Sequence, residues 1–373
     1  MKKEIFKNLY NEITVFFIIC SLTLSLIVWI LQAVNFLDIV SEDGHSMATY
    51  FAYSTLNLPK ILSKLLLLSF FISLFYIFVN YEDKNQILIF WINGITKKQF
   101  LNKIIYLGIL YCLLSFLLSY LIVPYTQNKA RSFIRQSNLD FFPALIKPRT
   151  FVDTVENLTI FLDYKKDNNI KKILIKDDSK SNSQLIIAKA GEISTNTERK
   201  LINLSNGVIV DFTENKKLKT FRFESSFFDL NKFKTKTTIT PKVQELSSQT
   251  ILKCLFELKK NLGVQKYINE LNCQKSFFKN LIQEIYKRTI LPIYFPLISI
   301  IACFVIIKSN NNKNYKFYKI KVFLSGILFI IISQISVNLI YKDLLIGILT
   351  ISIPFLIMII TYLFFMSLIK KNS

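Results

Sequence analysis

Residues 290–307 read ILPIYFPLISIIACFVII, an apolar run that restarts after a long polar stretch and holds no charged side chain. As a helix it is nearly as long as a ~30 Å hydrocarbon core is thick. Five other stretches share its character: 13–34, 61–79, 104–123, 322–341 and 344–369. Among all six, only Lys64 carries a charge. One ion at the bilayer centre costs about 2.5 to 3.5 kcal/mol on insertion scales, so charge-free runs of this length mark membrane helices and not a soluble core. Three spans precede and three follow the polar insert, residues 124–289.

The short loops set a direction. Lys2, Lys3 and Lys7 precede span one; Lys84, Lys97, Lys98 and Lys103 separate spans two and three; Lys308, Lys313, Lys316, Lys319 and Lys321 separate spans four and five; Lys370 and Lys371 follow span six. The opposite short loops carry only Lys60 and Lys342, against Asp38, Glu42, Asp43 and Asp343. Basic residues close to span ends stay on the cytoplasmic side. Both termini are therefore expected in the cytosol and the insert beyond the membrane. Span one follows a basic stretch as a signal peptide would, but its apolar run exceeds an h-region and no small-x-small site follows, so it reads as an uncleaved anchor.

The chain has a formal net charge of +22, and the insert alone holds 30 basic and 17 acidic residues. Such an excess attracts anionic ligands, although a lysine- and asparagine-rich composition along the whole chain accounts for it equally well. His45 is the only histidine, and Cys20, Cys112 and Cys303 lie inside spans, so Cys/His metal sites and histidine triads lack their parts. A disulfide between Cys254 and Cys273 stays open. No G-x-x-x-x-G-K-[ST] loop occurs, so the chain is not expected to hydrolyse ATP by itself. Asp153, Glu156 and Asp163 are carboxylates of the insert without the spacing of an acid/base pair, which disfavours an enzyme acting on an envelope polymer.

Within the insert, Leu158, Ile160 and Leu162 alternate with Thr159, Phe161 and Asp163, the period of a half-buried strand. Further strands are expected at 173–175, 185–188, 201–204, 208–212 and 221–223, with Asn206-Gly207 as a tight hairpin turn. About seven strands suggest a sandwich or jelly roll, whose edges can accept a strand from another protein. Residues 125–138, 247–260 and 274–288 read as helices flanking it. Glu284 and Arg288 stand four apart on one face of the last, with Pro292 following. The domains expected are 1–123 with a helix near 84–100, 124–288, and 289–373.

Residues 86–100, QILIFWINGITKKQF, are too apolar to lie free in cytosol. They read as an amphipathic helix docking on a partner, or as an interfacial helix with Trp91 in the headgroups.

Leu58-Pro59 at the start of span two, Gly94-Ile95-Thr96 in this loop, and Glu284, Arg288 and Pro292 at span four resemble, in that order, the motifs of the LptF/LptG family. These are paired permeases of the ABC transporter that extracts lipopolysaccharide from the bacterial inner membrane. The resemblance covers essentially the whole chain. It implies six membrane helices in a 3+3 arrangement around a periplasmic β-jellyroll, with Pro59, Glu284, Arg288 and Pro292 as structural motif residues. The partners implied are a cytoplasmic ATPase dimer, a second six-span permease facing spans one and five, periplasmic jellyroll bridge proteins and lipopolysaccharide; nucleic acid is not among them. ATP and magnesium would sit on the ATPase, with no cofactor on this chain. Glu82, Asp83, Gln86, Phe90, Trp91 and Gly94 become the coupling residues, with Gln86 where the family carries an acid and Glu82 or Asp83 as substitutes. Arg149-Thr150-Phe151 leans towards LptF. Phe16, Phe17 and Trp29 would line the acyl cavity. Lys60, Lys64 and Lys342 would meet lipid phosphates, unless they only snorkel to the interface. A scaffold or receptor that binds through the β domain without transport is the alternative.

Overall fold

The computed structural model describes residues 2–37, 40, 46–145, 148–155, 157–166, 168–178, 183–196, 199–212, 218–229, 242–260, 267–268, 271–272, 278–308, 310, 314–340 and 344–372. Six helical stretches among them are long and apolar enough to cross a membrane: Lys2–Asn35, Met47–Asp83, Lys97–Ile134, Phe278–Ile307, Tyr315–Leu339 and Leu349–Lys371. Each coincides with one expected span. The chain divides into two compact units, residues 1–31, 56–128 and 242–373 in one, and 32–55 and 129–241 in the other. The division thus falls at 242 and not at 288, so the segment leading into span four belongs with the helices.

The helical unit contains α1 (Lys2–Asn35, shared at its end with the other unit), α3 (Leu58–Asp83), the short α4 (Leu88–Ile92) and α5 (Lys97–Leu117), which runs through a π-helical turn (Leu118–Ile122) into α6 (Val123–Leu145), whose residues from 129 on belong to the other unit. After the insert come α7 (Ser248–Lys260), α8 (Phe278–Thr289), α9 (Tyr294–Cys303), α10 (Tyr315–Leu339) and α11 (Leu344–Asn372); α2 (Met47–Leu56) lies in the other unit but for its last residue. Every residue of α9 is buried. A helix that is apolar all round can satisfy itself only by being enclosed, and α9 packs against α3, α5, α10 and α11. Phe70, Phe71, Phe78, Phe100 and Phe295 fill the space between them. Along α1, α10 and α11, by contrast, large apolar side chains such as Ile27, Leu328 and Leu363 stay exposed. Surface of that kind needs lipid or another membrane helix over it.

The other unit is dominated by one six-stranded antiparallel sheet: β1 (Phe151–Val155), β2 (Leu158–Lys166), β3 (Asn169–Asp177), β4 (Gln184–Asn196), β5 (Arg199–Phe212) and β6 (Leu218–Asp229), paired in chain order. Ile160 pairs with Ile175 and Ile175 with Ile186, so the alternation read in the sequence builds one continuous apolar row. That row and its neighbours, including Leu158, Leu162, Ile193 and Ile202, form a core whose described members all lie on the sheet itself. The β domain is as expected; its described strands form a meander and do not cross between two sheets. A separate two-stranded ribbon, Tyr267–Ile268 with Leu271–Asn272, belongs to the helical unit. Asn206-Gly207 is not a turn. Both residues lie inside β5, where the lack of a Cβ at Gly207 admits the Phe223 ring from β6 and the Ile187 carbonyl 2.6 Å from where a Cβ would sit.

Candidate functional site

The loop between spans two and three does not form one helix over 84–100. α4 has five residues and stops at Asn93, because Gly94 takes φ +67°, a conformation that side-chain-bearing residues rarely adopt. The Gly94 N–H donates to the Trp91 carbonyl (3.0 Å) and the Ile95 N–H to the Phe90 carbonyl (3.0 Å). This is a Schellman end, with buried Ile95 as its apolar plug. Thr96 then caps the next helix: its hydroxyl accepts from the Gln99 N–H (3.2 Å), while its own N–H donates to Gln99 Oε1 (3.2 Å). Glycine, apolar residue and hydroxyl in succession thus each do a separate job: one helix ends, the joint is plugged, and the next begins.

The inward face of α4 is held by aromatic packing. Phe90 is 1 % exposed, edge-on to Phe100 (5.1 Å) and Phe6 (5.5 Å), and Trp91 is half-buried against Phe100. Lys2 Nζ donates to the Gly94 carbonyl (3.0 Å). The outward face is apolar and open: Leu88 and Ile89 are about half exposed and Ile92 is 83 % exposed. Of the three coupling positions before it, Glu82 is turned inward at 4 % exposure, accepting the Asn310 N–H (3.1 Å). Asp83 lies at the surface, paired with Lys319 (3.0 Å), and Gln86 is exposed.

A second cluster forms at the opposite ends of these helices. Pro59 sits in the first turn of α3, where a missing N–H costs nothing, and Asn57 just before it accepts from Gln127 Nε2 (2.9 Å). Arg288, 2 % exposed, is enclosed by five donated hydrogen bonds: two to Glu284 Oε1 (both 3.1 Å), and one each to the Leu246 carbonyl (2.9 Å), Ser248 Oγ (2.9 Å) and the Gln244 carbonyl (3.1 Å). Ser248 Oγ in turn donates to the Tyr120 carbonyl in the π-helical turn (2.7 Å). The pair therefore does more than a surface i,i+4 contact: it fastens residues 244–248, which follow the β sheet, to the helix that leads into span four. Pro292, buried in a 3-10 turn (Leu291–Ile293), follows directly. Beside this staple lies a cavity of about 440 Å³ whose lining includes Lys60, Lys64, Lys287, Glu284, Arg288 and Gln334. Two of the three lysines expected to meet phosphate share it; Lys342 lies outside the described residues. No side-chain ion pair engages Lys60 or Lys64 among the described residues.

The acyl-lining set is split. Phe17 is enclosed by Phe70 and Tyr111 in the helical core, Phe16 stacks on the exposed Tyr76 (4.5 Å), and Trp29 is half-buried. The staple's carbonyl partners carry no signal in the sequence, because Gln244 and Leu246 contribute backbone atoms that any residue would supply. In the β domain, Lys172 (2.9 Å) and Arg149 (3.3 Å) grip Asp163 and hold its carboxyl below the usual carboxylate range, which suits a structural charge and not a proton donor. Glu156 and the side chain of Asp153 lie outside the described residues. Cys254 is disulfide-bonded, and Cys273 lies outside the described residues. Groups of three or more metal-ligating side chains are absent among the described residues.

Six membrane-length helices, a β domain between the third and fourth, and the motif residues fixed in their structural roles agree with one comparison. Residues 7–368 match the family described as "Lipopolysaccharide export system permease LptF/LptG". The chain belongs to the LptF/LptG family. An uncharacterized protein of Rickettsia prowazekii is 23% identical over 341 residues, covering 89% of this chain and 91% of that protein. The LptF/LptG match leaves the choice between the two paralogues unresolved. In this member the Gly-apolar-Thr motif is a helix-to-helix joint and the Glu-x-x-x-Arg motif a buried clamp.

Proposed function

We propose that this chain is one of two permease subunits of an ABC transporter that extracts lipopolysaccharide from the inner membrane and passes it to a periplasmic bridge. The observation that carries this is the outward face of α4. Leu88, Ile89 and Ile92 project from a loop flanked by lysines, on a helix whose inward face is locked into the bundle. An exposed apolar face on a rigid mount is what a partner groove takes up in helix-in-groove docking. The partner is a cytoplasmic ATPase dimer, which supplies ATP and magnesium; a second six-span permease covers the apolar faces of spans one and five. Lysine placement supports cytoplasmic termini and a periplasmic β domain. An edge of the sheet, β1 or β6, offers unpaired backbone to the bridge protein.

Closure driven by nucleotide then moves α4 and, through the joint at Gly94–Thr96, α5 with it. Acyl chains take the apolar side of the cavity between subunits, and lipid phosphates meet Lys60 and Lys64 at its outer rim. Replacing Ile92 with Asp is the test. The variant is expected to fold and reach the membrane but to lose co-purification of the ATPase. Retention of a full complement of ATPase removes α4 as the docking element. Replacing Lys60 and Lys64 with Gln is expected to lower lipopolysaccharide cross-linking, and an unchanged yield means these lysines only snorkel.

A further inference from the structure

A second cavity, of about 590 Å³, lies at the basic-loop end of the helical unit among α9, α10 and α11. Its wall is apolar: Phe304 stands against Phe364 (ring centroids 5.8 Å apart), with Val322, Phe329 and Leu368 around them. Its rim is cationic, with Lys308, Lys321 and Lys371 contributed by three different segments. Lys321 and Lys371 have no ion-pair partner among the described residues, and Lys308 has only the Tyr318 ring beneath it at 4.9 Å. The polar groups of the wall are already used: the Tyr318 hydroxyl donates to the Phe304 carbonyl (2.8 Å), Ser325 to Val322 (2.7 Å) and Thr361 to Ile357 (2.8 Å). What remains unsatisfied is positive charge above a greasy slot.

Three like charges around one cavity repel each other unless an anion joins them. The occupant must therefore be anionic at one end and apolar at the other, and the size falls in the ~300–1,000 Å³ range of small-ligand sites. Basic pockets between membrane helices are suited to anionic headgroups. We infer that this cavity binds an anionic phospholipid, its phosphate among Lys308, Lys321 and Lys371 and the start of an acyl chain along Phe304, Phe329 and Phe364. It lies away from the cluster of Lys60 and Lys64, at the other ends of the helices. Its assignment to the cytoplasmic leaflet rests on the topology proposed above; the binding itself does not.

Detergent micelles make both ends of the helices accessible, so they test binding independently of topology. The full-length chain is purified and given phosphatidylglycerol or phosphatidylcholine, and retained lipid is read by native mass spectrometry. Phosphatidylglycerol is expected to be retained in preference. One lysine beside an anionic lipid is worth about a fivefold preference, so the triple variant Lys308→Gln, Lys321→Gln, Lys371→Gln is expected to lose at least about tenfold of that retention. Ser325→Trp keeps every charge but fills the slot, and is expected to lose it as well. A control variant, Lys84→Gln with Lys98→Gln, changes basic residues outside the cavity and is expected to retain the lipid. Equal retention of both lipids, or unchanged retention in the triple variant, overturns the inference. So does a photo-reactive residue at position 325 that captures a polypeptide in native membranes in place of lipid. Labelling of a cysteine at position 308 from the outer side of intact inner-membrane vesicles, against the inner, reports the topology separately.

Discussion

At the scale of single residues, the least exposed charge among the described residues, Arg288, is also densely hydrogen-bonded. Arg288 gives all five of its hydrogen bonds within the protein, and removing one partner of a buried pair leaves the other without compensation. Arg288→Ala is expected to cost about 3–5 kcal/mol, read as an earlier thermal transition in detergent, and Arg288→Lys to restore only part of it, since a single ammonium cannot reproduce the guanidinium fork. An unchanged transition in the alanine variant means the clamp is ornamental. Asp163 titrates in a more open setting, partly exposed and between two cations. Its folded pKa is depressed, so its contribution is complete above the ordinary carboxylate range and fades as pH falls through the folded value. Asp163→Asn is expected to lower β-domain stability slightly at neutral pH and not at low pH, so that this part of the acid dependence of unfolding, measured by circular dichroism, disappears; an unchanged acid dependence means the two cations do not stabilise the domain through Asp163. Glu284 and Arg288 were visible in the sequence as a pair at helical spacing. Their burial was not, because the atoms that enclose Arg288 come from backbone some forty residues away.

At the scale of elements, the apolar spans and the first strands were legible because each rests on a local pattern: charge exclusion over membrane length, and alternation of Leu158, Ile160 and Leu162. Asn206-Gly207 misled for the same reason. Locally it has hairpin chemistry, and Asn206 does take φ +53°, but β5 continues on both sides of it and the glycine serves ring packing across the sheet. The loop at 84–100 looked like one amphipathic helix because its apolar residues recur without interruption, while the break is set by a single backbone angle at Gly94. Gly94→Ala is expected to cost about 1–2 kcal/mol of local strain, and Thr96→Ala about 1 kcal/mol through the lost cap. Both are expected to weaken coupling more than assembly: ATPase still co-purifies, but lipopolysaccharide release per ATP falls. Full release in both variants means the joint need not be stiff.

At the scale of the whole molecule, six spans in two triplets with a β domain between them agree with the lipopolysaccharide export permease family that residues 7–368 match. Which paralogue it is depends on surfaces that a lone chain does not pair. The lysine asymmetry predicts where each loop lies: a cysteine at Ile92 is expected to react only from the cytosol and one at Phe227 only from the periplasm. The opposite labelling pattern would turn the proposed ATPase-docking face away from the cytosol and end the transport reading.

The enclosed fourth span also has a consequence for biosynthesis. α9 is the piece around which α3 and α5 pack, yet the ribosome reaches it only after translating residues 124–289. At about 5–20 residues per second, the first three spans wait on the order of ten to thirty seconds without their central neighbour. Throughout that interval the nascent half must be sheltered, by the insertion machinery or by a chaperone, and slow codons in the β domain would prolong its exposure to membrane proteases.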